Sequence, residues 1–305
     1  MLEDAPLRKR LDWGRLAPLR VRARAVAEGV YTGVHRSRKR GAGIEFGGHR
    51  SYVPGDDLRF LDRRATMRHD RLLVREFETE TDRGVRLVLD ASRSMGYRSE
   101  GAPAAKLAFA AVVVAALARV SLSGSDTVSL DWIGGDGCRP MPPMGGREAF
   151  DRIVDALETV EPAGDVVREP PALDRALSRV ARFARRGSAI VVVSDFLDLP
   201  DGAKDRIAAL ASGGRVVVGA RILDPAEVRF PFDGPVRFRA SEGALHVETD
   251  AGTARAAYLE ALAKQTAAFR ESFLSHGGRF VEATTEDDPV LVLQEILLAI
   301  EGAAR

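Results

Sequence analysis

The sequence predicts an α/β fold: a doubly wound, mostly parallel sheet of the kind that takes helices on both faces, with a small amino-terminal β-rich module and an inserted β-hairpin. Two observations carry this. From residue 83 onward short uninterrupted runs of Val, Ile and Leu recur, and longer stretches with helical patterning separate them. Strands covered on both faces read as continuous apolar runs, whereas half-exposed strands alternate. A length of 305 residues with 45% apolar side chains suits one large α/β domain with an appended piece.

Residues 1–82 lack the crossover rhythm and are expected to form the amino-terminal module, leaving 83–305 as the α/β domain. A basic helix at about 16–28 leads into Gly41, Gly43, Gly47, Gly48 and Gly55, then into the alternating stretch 72–79, which reads as a half-exposed strand. In the second part, Val85-Arg86-Leu87-Val88-Leu89 ends on Asp90 and a helix follows at about 104–121. A strand at 127–133 precedes a Gly/Pro-rich hairpin or loop, 134–146. Helices are expected at about 147–159 and 171–186, before the strand 189–193, which stops at Ser194-Asp195. A helix near 203–211 and a strand at 215–220 come next. The stretch 229–248, punctuated by Pro231, Asp233-Gly234-Pro235 and Glu242-Gly243, reads as the hairpin insertion. A long helix at about 253–275, a strand at 279–283 and a helix at 289–301 complete the order.

Composition narrows the function. Lys and Arg number 45 against 44 Asp and Glu, a net charge of +1. Residues 1–80 hold 18 basic and 12 acidic side chains, so the remainder carries 27 and 32. This balance rules out a globally charged binder and gives no reason to expect a disordered chain. The lone Cys138 rules out an intramolecular disulfide or a CxxC site and fits a reducing, cytoplasmic setting. The longest apolar run, 107–118 between Lys106 and Arg119, is shorter than the roughly 20 residues a membrane span needs and reads as a buried core helix. The first residues lack the layout of a secretory signal.

Chemistry concentrates at strand ends, where open α/β sheets bind ligands. Asp90-Ala91-Ser92-Arg93-Ser94 follows the first strand. A carboxylate and two hydroxyls on alternate positions of a tight turn can converge on a hard cation, magnesium or manganese, with Asp195 adding a second carboxylate. The same residues can also serve as a capping turn without metal. The basic run Arg36, Arg38, Lys39 and Arg40 reads as a solvated turn, and Tyr52 to Asp57 as a structural one. No phosphate-binding loop is present. A hydrolase at the same strand ends would need a second Asp where Ser92 stands, or a histidine beside Ser92 or Ser194; neither is in view.

Asp90-x-Ser92-x-Ser94-Met95 resembles the metal-ion-dependent adhesion site of von Willebrand factor type A domains. Gly33-Val34-His35-Arg36-Ser37, Gly41 to Phe46, Arg50 to Arg59 with Leu61-Asp62, Val74 to Glu80, Ser194-Asp195-Phe196 and Leu223-Asp224-Pro225-x-Glu227 are similar to the signature of the bacterial domain of unknown function 58. The resemblance spans about residues 30–290. It implies a type A-like domain acting as a metal-dependent binding partner or adaptor, associated with a MoxR-type AAA+ ATPase, with Asp90, Ser92, Ser94 and Asp195 as metal ligands. The Thr that an intact site takes from its second loop is missing from 168–173, where Glu169 or water is the expected substitute. The expected function is therefore a non-enzymatic protein-binding module that captures an acidic residue of a partner. A metal-dependent hydrolase and a metal-free scaffold stand as alternatives.

Overall fold

The computed structural model describes residues 19–33, 45–52, 62, 66–67, 72–78, 84–166, 168–240 and 246–303. The basic run 36–40, the turn at 53–57 and Glu242-Gly243 lie outside them. The described elements are α1 (Leu19–Gly33), β1 (Glu45–Ser51), β2 (Leu73–Glu78), β3 (Val85–Ala91), α2 (Lys106–Ser123), β4 (Val128–Gly134), β5 (Met141–Met144), α3 (Arg147–Thr159) and α4 (Pro170–Phe183). They continue with β6 (Ala189–Ser194), α5 (Ala203–Ala208), β7 (Val216–Leu223), α6 (Pro225–Arg229), β8 (Pro235–Arg239), β9 (His246–Asp250), α7 (Ala251–Ser275), β10 (Arg279–Thr284) and α8 (Pro289–Ala303).

Six strands form the main sheet in the order β10-β7-β6-β3-β4-β5. The pairs β10–β7, β7–β6, β6–β3 and β3–β4 are parallel, and only the edge strand β5 runs antiparallel, on β4. The expected hairpin or loop at 134–146 thus supplies a short edge strand. The chain lays down β3, β4 and β5 in one direction and then returns to the other side of β3 for β6, β7 and β10. That reversal puts the topological switch point, where a crevice forms beyond the carboxyl ends of strands, between β3 and β6.

Alternate residues of each strand feed opposite cores. Leu87 and Leu89 of β3 join Val191 and Val193 of β6 beneath α2, while Val88, Val192 and Val217 face Leu173, Leu177 and Val180 of α4 and Phe269 and Phe273 of α7. Both faces being covered accounts for the unbroken Val/Ile runs. Among the described residues α2 is the one helix long and apolar enough to cross a membrane, yet from Lys106 to Ala118 every residue is buried within the fold.

The amino-terminal helix departs from expectation. One unit of the chain spans Val34–Asp82, where β1 pairs antiparallel with β2; α1 belongs instead to the unit that contains everything from Arg83 onward. Leu19, Ala23, Val26 and Val30 make a buried stripe at helical spacing, part of the core under α2 and α8. Gly29 permits an approach so close that a β-carbon there would lie 3.1 Å from the Val290 methyls. An amphipathic helix needs a broad apolar surface to cover its stripe. The flank of α2 and α8 provides it. The hairpin insertion is present as the antiparallel pair β8–β9, with Phe230, Phe232, Phe238 and Tyr258 stacked at its base on α7.

Candidate functional site

The switch point brings together Asp90, Ser92, Ser94 and Asp195, and Ser194 with them. The last backbone pair between β3 and β6 is Leu89 with Val193. One step further the side chains take over: Ser194 Oγ donates to Asp90 Oδ2 at 2.6 Å, and the Ser92 amide donates to Asp90 Oδ1 at 2.8 Å. Ser194 Oγ also accepts from the Phe196 amide, which turns the chain through a left-handed residue, Phe196 at φ 53°. The ring of Phe196 stays buried, edge-on to Phe269, Phe273 and Phe280, and so fixes this turn from below. Ser92 Oγ and Ser94 Oγ lie 3.1 Å apart. The second loop closes against this turn: Arg93 donates its amide to Gly164 O, and a β-carbon on Gly134, at φ 68°, would meet Ala163 O at 2.8 Å.

Two residues that the sequence reading did not assign complete the cluster. Lys106, the first residue of α2, places Nζ 2.8 Å from Asp195 Oδ2 and 2.6 Å from Glu227 Oε1, with its side chain 1% exposed. Tyr97 lies over the ammonium at 5.8 Å from ring centre. Glu227 belongs to a capping box that starts α6: its Oε2 accepts the Asp224 amide, while Asp224 accepts the Ala226 amide through Oδ1 and the Ser99 amide through Oδ2. The Asp224-Pro225-x-Glu227 motif therefore caps a helix, holds Lys106 and ties down the loop after β3 in one stroke. The capping-box spacing, an Asp followed three residues later by Glu, was the available sequence signal. Below, Arg221, fully buried, donates to Asp195 O, Thr266 Oγ1 and Gln265 Oε1, joining the Asp195 turn to α7.

Electrostatics follow from burial and these partners. Burial, reinforced by the neighbouring Asp195 charge, pushes the Asp90 carboxyl up to about 6 against the hydrogen bonds from Ser194 and Ser92. Burial also opposes ionisation of Asp195, but the Lys106 ammonium, with hydrogen bonds from Lys106, Leu197 and Ser94, outweighs it and holds that carboxyl below its usual range. The Lys106 ammonium is held above the ordinary lysine range by the same carboxylates in spite of its burial. Glu227 is left raised, chiefly by burial.

The cluster is closed. Asp90, Ser92, Ser94 and Asp195 are 2%, 1%, 6% and 2% exposed. Glu169, the expected substitute ligand, precedes α4 with an exposed side chain, outside this hydrogen-bonded group. A divalent ion prefers free carboxylate oxygens and several waters. Here Asp90 Oδ1 and Oδ2 and Asp195 Oδ1 and Oδ2 each accept a protein hydrogen bond, from Ser92, Ser194, Leu197 and Lys106. Ser94 bonds Asp195 as well, so every carboxylate oxygen of the pair is already engaged, an arrangement that does not fit a resident magnesium or manganese while Lys106 is in place. An apolar groove lined by Leu223, Val228, Leu259, Leu262, Thr266 and Arg270 runs along α7.

Comparison with known proteins gives the following. A family model described as protein of unknown function DUF58 matches residues 48–268. An uncharacterized protein of Mycobacterium tuberculosis is 28% identical over 230 residues, 75% of this chain and 71% of that protein. The crystal structure of the conserved hypothetical protein BatB from Bacteroides thetaiotaomicron is similar at 14% identity and a TM-score of 0.46, over 72% of this chain and 99% of that one. A von Willebrand factor type A protein from Catenulispora acidiphila is similar at 13% identity and a TM-score of 0.43, over 76% of this chain and 43% of that one.

Proposed function

The chain belongs to the family described as protein of unknown function DUF58, and from that membership and the strand-end geometry we propose that it is a non-enzymatic protein-interaction module. Its partner face is the loop surface above Asp90, Ser92, Ser94 and Asp195. The observation that carries this reading is the way one buried cluster fastens three separate loops: 92–99 after β3, 195–199 after β6 and 224–229 after β7, through the Asp90–Ser194, Lys106–Asp195–Glu227 and Ser99–Asp224 bonds. Loops held on a rigid sheet are the usual place for recognition. Over this cluster Arg93 and Asp198 are exposed and Tyr97 half-buried, a mixed surface suited to a protein partner. A hydrolase would need an open site with a base beside the serines; Ser92 and Ser194 are each 1% exposed, and Ser194 is spent on Asp90.

The partner in this proposal is a MoxR-type AAA+ ATPase, in the cytoplasm, as the family resemblance and the lone Cys138 suggest. The test is binding of the purified ATPase from the same organism to the full chain, with and without chelator. Saturable binding that Arg93→Glu weakens by about tenfold, the size of a rim-to-core contact, supports the reading; no binding by the folded protein, or binding indifferent to Arg93→Glu and Tyr97→Ala, sinks it. Binding abolished by chelator would instead make magnesium or manganese the bridge to an acidic side chain.

A further inference from the structure

We infer that Lys106 is the resident cation of the strand-end site, neutralising its carboxylates from within the chain so that the loop face is held together without a divalent ion. The inference rests on the reading of that face as the partner surface and specifies how it is maintained.

Three observations lead to it. First, the ammonium sits between Asp195 and Glu227 at 2.8 and 2.6 Å, with side-chain exposures of 1%, 3% and 16% for Lys106, Asp195 and Glu227. A positive charge shared by two carboxylates at strand ends is the electrostatic task a bound cation performs in an oxygen-ligand site. Second, the position cannot readily be vacated. Lys106 begins α2, and its backbone is fixed by a helix buried from Lys106 to Ala118, while its head is covered by Tyr97 and Glu227. Third, a metal drawing on Asp195 must compete with Lys106 for that carboxylate and would set a dication beside an ammonium in a buried place, where like charges repel strongly. The expected substitute in the second loop is turned away: Glu169 is exposed, and the segment 168–173 carries no Thr. The charge in the site is thus supplied by the sequence itself.

The experiment is a titration of the full-length protein with Mn2+ alone, read by the loss of the free-ion paramagnetic resonance signal, together with thermal melts in Mn2+ and in chelator. The wild type is expected to show no saturable uptake and an unchanged melting temperature. The double variant Lys106→Met/Glu227→Gln removes one charge of each sign and leaves Asp90, Ser92, Ser94 and Asp195; it is expected to gain a saturable site that Asp195→Asn then abolishes. Saturable Mn2+ binding by the wild type, or none by the folded double variant, overturns the inference. Should the double variant not fold, lysine acetylation of the wild type followed by mass spectrometry decides: Lys106 protected equally with and without Mn2+ supports the inference, and labelling that rises with Mn2+ overturns it. Metal binding by the wild type would leave the interaction reading standing in a metal-dependent form. A silent titration with no ATPase binding would remove the interaction reading and keep Lys106 as the structural cation.

Discussion

Ser194 Oγ donates to Asp90 Oδ2 at 2.6 Å one residue beyond the point where the β3–β6 backbone ladder stops, so a side-chain bond continues the strand register into the crevice. Removing it leaves a buried carboxylate oxygen without a partner. Ser194→Ala is expected to cost about 1–3 kcal/mol, measured by urea denaturation, and Ser194→Thr to cost less. A neutral result for Ser194→Ala would show that the two strand ends are held by the backbone alone.

The raised carboxyl of Asp90 gives a pH dependence with a definite sign. Its folded value of about 6 lies above the ordinary 3.8, so in that interval the folded chain binds more protons than the unfolded one. The stability contributed is fully present below the ordinary value and is lost as pH rises through about 6. Asp195, lowered by Lys106, works in the opposite sense and loses its contribution as pH falls below the ordinary range. Denaturation of wild type and Asp90→Asn at several pH values should show the wild type losing ground to the variant between about pH 4 and pH 7, then running parallel. A constant difference across that window would contradict the assignment.

Loss of the Lys106 ammonium strands two carboxylates. Lys106→Met is expected to destabilise the fold by about 3–5 kcal/mol, the cost of breaking a buried pair by removing one partner. Adding Glu227→Gln should return part of that, because one of the orphaned charges is then gone. A double variant no more stable than the single would mean that Glu227 is well solvated without Lys106.

Phe196 holds the Asp195 turn by its ring. Phe196→Ala should cost about 3–5 kcal/mol through the cavity left among Phe269, Phe273 and Phe280. Hydrogen exchange should accelerate at the Phe196 and Leu197 amides, which bond Ser194 Oγ and Asp195 Oδ1. Unchanged exchange at these two amides would place the turn's rigidity in the Arg221 network instead.

The strand runs and their end residues were legible because a strand buried on both faces writes its environment directly into composition: β3, β6 and β7 lie where the Val/Ile/Leu runs stood. Asp90, Ser92, Ser94 and Asp195 converge for the same reason, since a parallel sheet sends successive strand ends to one edge. Lys106 was hidden by its position as the polar boundary of an apolar helix, where a lysine ordinarily reaches for solvent; only the fold shows that this end of α2 points at carboxylates. Glu227 stood in a recognised motif with no visible task, because its partner is 121 positions away in the chain. The placement of α1 escaped for a related reason: amphipathic periodicity tells that a stripe is covered but not by which surface.

The docking of α1 beside α8 bears on how the chain reaches its final state. Leu19, Ala23, Val26 and Val30 are made well before their full cover, since the Val290 contact at Gly29 lies about 260 residues further along the chain. Part of the cover of α1, the helix α2, follows within about 80 residues, but the rest comes only with α8, and such distant pairings slow folding. Until α8 is made, part of the apolar stripe of α1 stays uncovered in the nascent chain, available to chaperones or to other copies. Closure of α8 over α1 therefore completes this part of the core only after both helices have been made.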